Sequence, residues 1–179
     1  GCLAPTLLFT AVSPSAHEPT LIQVVDASQF DPPSPDSTGA AYIEHAGTIL
    51  ITDSEVNEMS IFEGVNQFEI TADGVVVFMF SSLAWSNEPT GVAYNPINQH
   101  LFYSDDNRSE VYEVDAGPDG TFGTPDDIVT EFDTTPFGNN DPEGIAYDSA
   151  TQTLYIAEGV GSEVYIVQAG ANNVFDGVA

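Results

Sequence analysis

The sequence predicts an all-β fold: a β-propeller segment of about three four-stranded antiparallel blades, plus an N-terminal outer strand that closes a ring. Three observations predict it. A tetrapeptide recurs as Gly39-Ala40-Ala41-Tyr42, Gly91-Val92-Ala93-Tyr94 and Gly144-Ile145-Ala146-Tyr147, at steps of 52 and then 53 residues. Each copy opens a unit of short runs rich in β-branched and aromatic residues, separated by turn residues. No window carries a helical period. Four short strands per unit of about 50 residues is the signature of propeller blades.

The elements follow in order. Residues 1–16 read as a signal-peptide remnant: an apolar stretch, Leu3 to Val12, precedes small residues at Ala11, Ser13 and Ser15. The protein is therefore expected to be secreted or extracytoplasmic. Residues 17–179 read as the partial propeller. Within it, 21–30 form an outer strand, because Val25-Asp26-Ala27-Ser28-Gln29-Phe30 resembles Phe132-Asp133-Thr134-Thr135-Pro136-Phe137 at the end of the second unit. Blade one covers 37–85, blade two 89–137, and blade three 142–179, which stops before a fourth strand. Second runs are Ile49-Leu50-Ile51, Leu101-Phe102-Tyr103 and Leu154-Tyr155-Ile156; third runs are Phe68-Glu69-Ile70, Val111-Tyr112-Glu113-Val114 and Val164-Tyr165-Ile166-Val167. Three blades do not close a ring that typically needs four to eight. The sequence thus reads as part of a longer protein, with closure by assembly of several short chains as the alternative.

Composition limits the partners. The chain holds 28 acidic residues, one Arg, no Lys, and a net charge of −27. Phosphates would be repelled, which excludes nucleic acid and anionic membranes. Divalent cations are favoured, or life in high salt, where screening reduces self-repulsion. The one cysteine, Cys2, allows no internal disulfide. No segment after the leader is apolar enough for a membrane span.

Propeller geometry places the acids. Successive strands alternate direction, so the loops before first strands and after second strands share a face. Glu88, Asp141 and Glu143 precede first strands; Asp53, Asp105, Asp106 and Glu158 end second strands. Gathered at a channel mouth, they would raise each other's pKa unless a cation sat among them. Oxygen-only ligands suit calcium or magnesium. The same residue types also cap turns. A second candidate is the loop between strands three and four of blade two. Counted from Asp115, acids stand at positions one, five and twelve (Asp115, Asp119, Asp126), with Gly120 at six, Thr121 at seven and Asp127 following. An EF-hand-type calcium loop uses this spacing, although Gly117 at three and Asp126 at twelve depart from it. The plain alternative is a long Asp-Gly hairpin.

The loop after Asp53 is eight residues longer than its blade-two counterpart and holds Met59, Ile61 and Phe62 near Glu55 and Glu58, which fits a lid or a partner contact. His17, His45 and His100 do not recur with the repeat, and no Ser-His-Asp arrangement, phosphate loop or zinc spacing is present. Asn107-Arg108-Ser109 is a glycosylation sequon.

The openings Glu88-Pro89-Thr90-Gly91-Val92-Ala93-Tyr94 and Asp141-Pro142-Glu143-Gly144-Ile145-Ala146-Tyr147 resemble the inner strands of NHL-type propellers and of the senescence-marker-type gluconolactonases. That resemblance implies a six-bladed ring, often with a metal in the central channel. Blade one departs from it, with Ser37-Thr38 before Gly39. The expected function is a binding or scaffold module that takes calcium and presents its face to a protein or small-molecule ligand. The alternative is a metal-dependent hydrolase, a lactonase, esterase or phytase-like enzyme, using the same acidic face.

Overall fold

The computed structural model describes residues 19–54 and 59–176; the predicted signal segment, His17, Glu55 and Glu58 lie outside them. The strands are β1 (Ser37–Ile43), β2 (Thr48–Asp53), β3 (Gln67–Ile70), β4 (Val76–Phe80), β5 (Pro89–Tyr94), β6 (Leu101–Asp105), β7 (Glu110–Asp115), β8 (Ile128–Asp133), β9 (Pro142–Asp148), β10 (Thr153–Glu158) and β11 (Val164–Gln168). They form three antiparallel meanders: β1-β2-β3-β4, β5-β6-β7-β8 and β9-β10-β11. Each first strand pairs with its second in one register, with Tyr42 opposite Ile49, Tyr94 opposite Leu101, and Tyr147 opposite Leu154. All three inner ladders also carry an irregularity at their start. The predicted repeat is therefore a structural repeat down to individual residues.

The core lies between sheets. Ala41, Ile43, Leu50 and Phe80 of blade one meet Val92, Tyr94, Leu101 and Tyr103 of blade two. Ala93, Phe102, Val111 and Phe132 then meet Leu154 and Ile156 of blade three, with Phe175 filling the edge. Blade two is covered on both faces, and every residue of β5 and β6 is buried. A sheet covered on both sides reads as a continuous apolar run rather than an alternation.

Neighbouring inner strands approach closely, and glycine permits it. A Cβ on Gly91 would stand 2.5 Å from the Glu143 carbonyl oxygen and 2.7 Å from Ser104 Oγ. A Cβ on Gly39 would stand 3.0 Å from Val92 N. Gly144, with no further inner strand beside it among the described residues, would meet only Ala157 Cβ at 3.7 Å.

Residues 21–30 differ from expectation. No described strand pairs with 21–26, and Ala27–Gln29 is a 3-10 turn capped by the Asp26 side chain. An outer strand needs the third strand of its own blade for a ladder, and none of the three described third strands pairs with this segment. Its position is nevertheless that of an outer strand. Phe30 packs on Phe68 of β3 at 5.5 Å, as Phe137 packs on Tyr165 of β11 at 5.6 Å and Trp85 on Tyr112 of β7 at 5.1 Å.

Replacing Gly91 by Ala is expected to destabilise the fold by about 1–3 kcal/mol through overpacking against backbone. Gly144→Ala, the same residue one repeat later, is expected to cost less. Urea denaturation of the two variants beside the unaltered chain measures the difference; equal losses would show that the strand approach is not the reason for glycine.

Candidate functional site

The acids predicted for one face divide into two groups. Asp53 and Asp105 are fully buried. Asp53 Oδ2 accepts from Ser34 Oγ at 2.7 Å and from the Asp36 amide at 2.8 Å. Asp105 Oδ2 accepts from Ser86 Oγ at 2.6 Å, and its Oδ1 from the Arg108 amide at 2.9 Å. Ser34 and Ser86 occupy one repeat position, five residues before the glycine. These pairs tie the loop leading into a blade to the end of its second strand. Burial pushes the Asp53 carboxyl up from its ordinary value, against the lowering effect of its Ser34 and Asp36 hydrogen bonds. In blade three the serine position is Asn139, fully buried, and its Nδ2 has no protein partner. Glu158 is only half-buried, with its carboxylate beside Gly161 instead. Glu88, also half-buried, precedes β5.

Asp106, Asp141 and Glu143 do converge. One carboxylate oxygen from each lies within 4.8 Å of the others, and all three side chains are half-buried. Among the described residues this is the one such group of three acidic, His or Cys side chains. Asp106 is supplied by the turn after β6; Asp141 and Glu143 by the start of blade three. Hydrogen bonds fix both pieces. Thr90 Oγ1 donates to the Pro142 carbonyl at 3.1 Å, and Ser104 Oγ to that of Glu143. The Asp141 amide donates to Asn139 Oδ1 at 3.2 Å, and Ser109 Oγ to the Asn140 carbonyl at 2.9 Å. Buried Thr134 donates from Oγ1 to the Asn139 carbonyl, while its amide reaches Ser109. Gly159 leaves the flank open: a Cβ there would stand 2.7 Å from Asp141 Oδ2.

The electrostatics are strained. Burial, then the charges of Glu143, Asp141 and Asp105, push Asp106 up to about 6, although the Asn107 amide opposes the shift. Burial and then the Asp141 charge raise Glu143. Asp106 Oδ1 is buried without a protein partner. Such a set of hard oxygen donors fits calcium or magnesium.

The loop candidate sits at the opposite end of blade two: the Asp119 and Asp126 side chains interact and both charges reach Asp127, but among the described residues no three of its carboxylates converge as Asp106, Asp141 and Glu143 do. Each carboxylate serves the loop's own amides. Asp115 Oδ1 accepts from Gly117 N at 3.0 Å, Asp119 Oδ1 from Thr121 N at 2.7 Å, Asp126 Oδ2 from Asp119 N at 3.2 Å, and Asp127 Oδ2 from Gly123 N at 2.7 Å. The Thr124 hydroxyl holds the Asp126 carboxyl below its ordinary value. Positive φ at Gly117, Gly120 and Gly123 lets the chain turn this sharply. Without an ion, the loop is a hairpin held by Asx turns at Asp115 and Asp119.

Other polar groups are engaged elsewhere. Arg108 reaches the Trp85 carbonyl and Tyr112 Oη. His100 bridges Glu113 at 2.7 Å and Asp115 at 3.5 Å, and His45 Nδ1 meets Tyr94 Oη at 2.7 Å. No described helix is long and apolar enough to cross a membrane. Sequence reasoning put Asp106, Asp141 and Glu143 on one face but missed Ser34 and Ser86. A further signal was present in the repeat. At the junction of blades one and two, the positions of Asp106, Asp141 and Glu143 hold Ser54, Glu88 and Thr90; three acids meet only at the next junction.

No known family's sequence profile matches the chain, and no curated protein matches it. Solved structures do. The chain is similar to Kuenenia stuttgartiensis hydrazine synthase, at 14% identity and a TM-score of 0.52, over 75% of this chain and 33% of that one. The chain is a β-propeller segment. Lower similarity extends to a chain of a nidogen/laminin complex, at 19% identity and TM-score 0.47, over 73% and 47% of the two chains. Virginiamycin B lyase from Staphylococcus aureus follows, at 17% identity and TM-score 0.43, over 72% and 40%. The chain thus spans between a third and about half of the solved chains it matches, and identity this low carries fold alone.

Because Asp106 titrates higher folded than unfolded, the folded state holds an extra proton between about pH 4 and 6. Its contribution to stability therefore rises as pH falls through that window. In dilute buffer with chelator, the thermal midpoint is expected to climb from pH 7 to pH 5, and less steeply in Asp106→Asn. Parallel pH profiles for the two proteins would contradict this.

Proposed function

We propose that this chain is an extracytoplasmic NHL-type β-propeller binding module whose acidic face holds calcium through Asp106, Asp141 and Glu143. One observation carries the reading: three carboxylates from two different blades converge within 4.8 Å. Several features support it. The ligands are all hard oxygens, which calcium and magnesium prefer over nitrogen or sulfur sites. They are partly desolvated, which strengthens attraction to a cation. Among the described residues no Lys or Arg neutralises the group; the sole Arg is committed to Trp85 and Tyr112. Calcium is the better fit because its coordination shell tolerates irregular carboxylate geometry, whereas magnesium demands a near-ideal octahedron. Bound there, the ion would tie blade two to blade three and leave its outer coordination positions to a ligand on that face.

A metal-dependent hydrolase is the second reading, and one observation favours it. Asp106 is pushed up to about 6, close to the range of a general base at neutral pH. A cation beside it would polarise substrate and activate water. Among the described residues no His or Lys stands with the three acids, so binding is the reading advanced here.

Melting with calcium, magnesium, sodium chloride and chelator tests the proposal. A ligand that binds only the folded state raises stability by about 2.7 kcal/mol at a hundred times its Kd. Calcium at millimolar or lower concentration is expected to raise the midpoint more than magnesium does. Asp106→Asn, Asp141→Asn and Glu143→Gln should each remove most of that gain, while Asp115→Asn keeps it. If the melt is indifferent to chelator, or if only bulk salt matters, the acidity is an adaptation to saline surroundings and the site is not a calcium site. Hydrolysis of lactone, ester or phytate panels, lost in Asp106→Asn, would establish the second reading.

A further inference from the structure

We propose that the cavity between blades one and two, at the end away from Asp106, Asp141 and Glu143, binds a small aromatic amine. Its ammonium group pairs with Glu69 and its ring lies among Phe78, Phe80 and Phe122. The inference is independent of the calcium site.

The cavity belongs to the stacking of two complete sheets. The register of β1 to β4 puts Leu50, Glu69, Phe78 and Phe80 on one face of blade one, the face that meets blade two. Leu101 and the loop carrying Phe122 bound the space from blade two. The enclosed volume is about 230 Å³. A cavity of about 150 Å³ walled by Leu, Ile and Phe holds benzene, so this one admits a single ring with a short arm. Buried Leu50 and Leu101 line its inner part. Three rings follow one another along it, Phe78 and Phe80 at 6.0 Å, Phe80 and Phe122 at 6.5 Å. Phe78 is 37% exposed, which leaves the mouth open to solvent.

The next junction shows the same place with its acid satisfied by the chain. Strand register puts Glu69 at the repeat position of Glu113, Thr48 at that of His100, and Phe78 at that of Thr130. Glu113 is buried and both its oxygens are engaged. Oε1 meets His100 Nδ1 at 2.7 Å, and Oε2 accepts from the Phe175 amide at 3.0 Å. Glu69 is only half-buried, and its Oε1 accepts from Thr48 Oγ1 at 2.5 Å. Phe122 stands 53 residues before Phe175, yet its amide forms no bond to Glu69. Among the described residues no Lys, Arg or His pairs with Glu69. Three departures from the repeat therefore coincide. Thr48 is smaller than an imidazole and leaves room; the amide link is missing; and a ring replaces Thr130. The space beside Glu113 is polar by contrast, lined by Asn95, Asn98, Gln152 and Asn173.

These features select the ligand. A carboxylate with acceptor capacity to spare, beside apolar walls, favours a cationic donor, because charge-assisted hydrogen bonds are the strong ones. Aromatic faces attract the same cation and pack against a ligand ring at its face or edge. An anion would be repelled by Glu69 and by the net charge of −27. A neutral ring would fill the apolar part and leave Glu69 without a counter-charge. An aliphatic amine would pair with Glu69 and leave the three rings unused. A ring and an ammonium joined by a short arm satisfy both halves of the cavity.

Titration calorimetry of the 179-residue chain with phenethylammonium, phenethyl alcohol and butylammonium tests this, in chelator at about 0.15 M salt. Phenethylammonium is expected to bind one to one, and roughly tenfold or more tighter than either control. Glu69→Gln keeps the side chain's shape and the acceptor for Thr48. It should weaken phenethylammonium roughly tenfold or more and leave phenethyl alcohol unchanged. Phe78→Ala, at a residue outside the described core, should weaken both ring ligands. Asp106→Asn, and added calcium, should alter none of the three. Circular dichroism reports folding, and should Glu69→Gln fail to fold, Phe78→Ala decides the matter. Absence of saturable binding at millimolar ligand overturns the proposal, as does an affinity that Phe78→Ala leaves untouched. Equal binding of phenethylammonium and butylammonium, fading together as salt rises, overturns it too, because the ammonium would then be drawn to the acidic surface at large.

Discussion

The structure depends on one constraint: a blade is a sheet with two apolar faces, and neither face can be buried by the blade itself. Four strands of four to seven residues make an insufficient core alone. Stability comes from stacking, as in other repeat architectures, where neighbour interfaces dominate. Blade two shows the satisfied state. Its Leu101, Phe102 and Tyr103, three successive residues of β6 pointing alternately to two neighbours, are all fully buried. The equivalent residues of blades one and three are buried on one side only. The glycine at the start of each inner strand is part of the same constraint, because inner strands of adjacent blades come within backbone contact at Gly91. Ring closure extends the constraint rather than adding one, since the outermost faces ask for what the inner ones already have.

A second layer of order is polar. Stacked sheets leave loops at both ends, and each loop must satisfy its backbone without help from the neighbouring sheet. The chain answers with short acidic side chains. Asp53 and Asp105 secure the approach to their blades through Ser34 and Ser86; Asp26, Asp133 and Asp148 accept amides two residues on. Many of the 28 acids are thus turn builders, and a charge of −27 overstates how many remain for ligands. Arg108 likewise braces the loop that holds Trp85.

Blade number, strand order and inner-strand register were legible in the sequence, because a repeat of 52 or 53 residues samples the same environment three times and the alternation of apolar residues fixes the faces. Depth was not. Spacing places Asp105 and Asp106 at the end of one strand, but the pleat sends them opposite ways: Asp105 inward to Ser86, Asp106 toward Glu143. A side chain's direction within a loop depends on what the loop packs against, and Ser86 lies nineteen residues from its carboxylate partner. The stretch from Asp115 to Asp127 shows the converse limit. Alternating Asp and Gly serve a calcium loop and an Asx-turn hairpin equally, since both need acceptor oxygens turned inward and glycine at positive φ. Here the oxygens accept from the loop's own amides, and Asp119 and Asp126 also meet each other. Residues 21–30, expected as an outer strand, carry a cap at Asp26 and an aromatic contact at Phe30 like those that follow the fourth strands, but form no ladder with a described strand.

What distinguishes the three converging acids is that the repeat does not require them. Ser54, Glu88 and Thr90 fill the same positions one junction earlier and fold the same way. Asp106, Asp141 and Glu143 therefore bring a local cost with no structural return. Unit charges about 4 Å apart repel by about 4 kcal/mol at an effective dielectric of 20. Among the described residues no ion pair with Lys, Arg or His offsets this. A proton offsets it only in part, since Asp106 at about 6 is mostly ionised at neutral pH. A cation between the three, as proposed above, would offset the rest. The hydrogen bonds donated by Thr90, Ser104 and Ser109, and those accepted by Asn139, hold the two loops together against this repulsion.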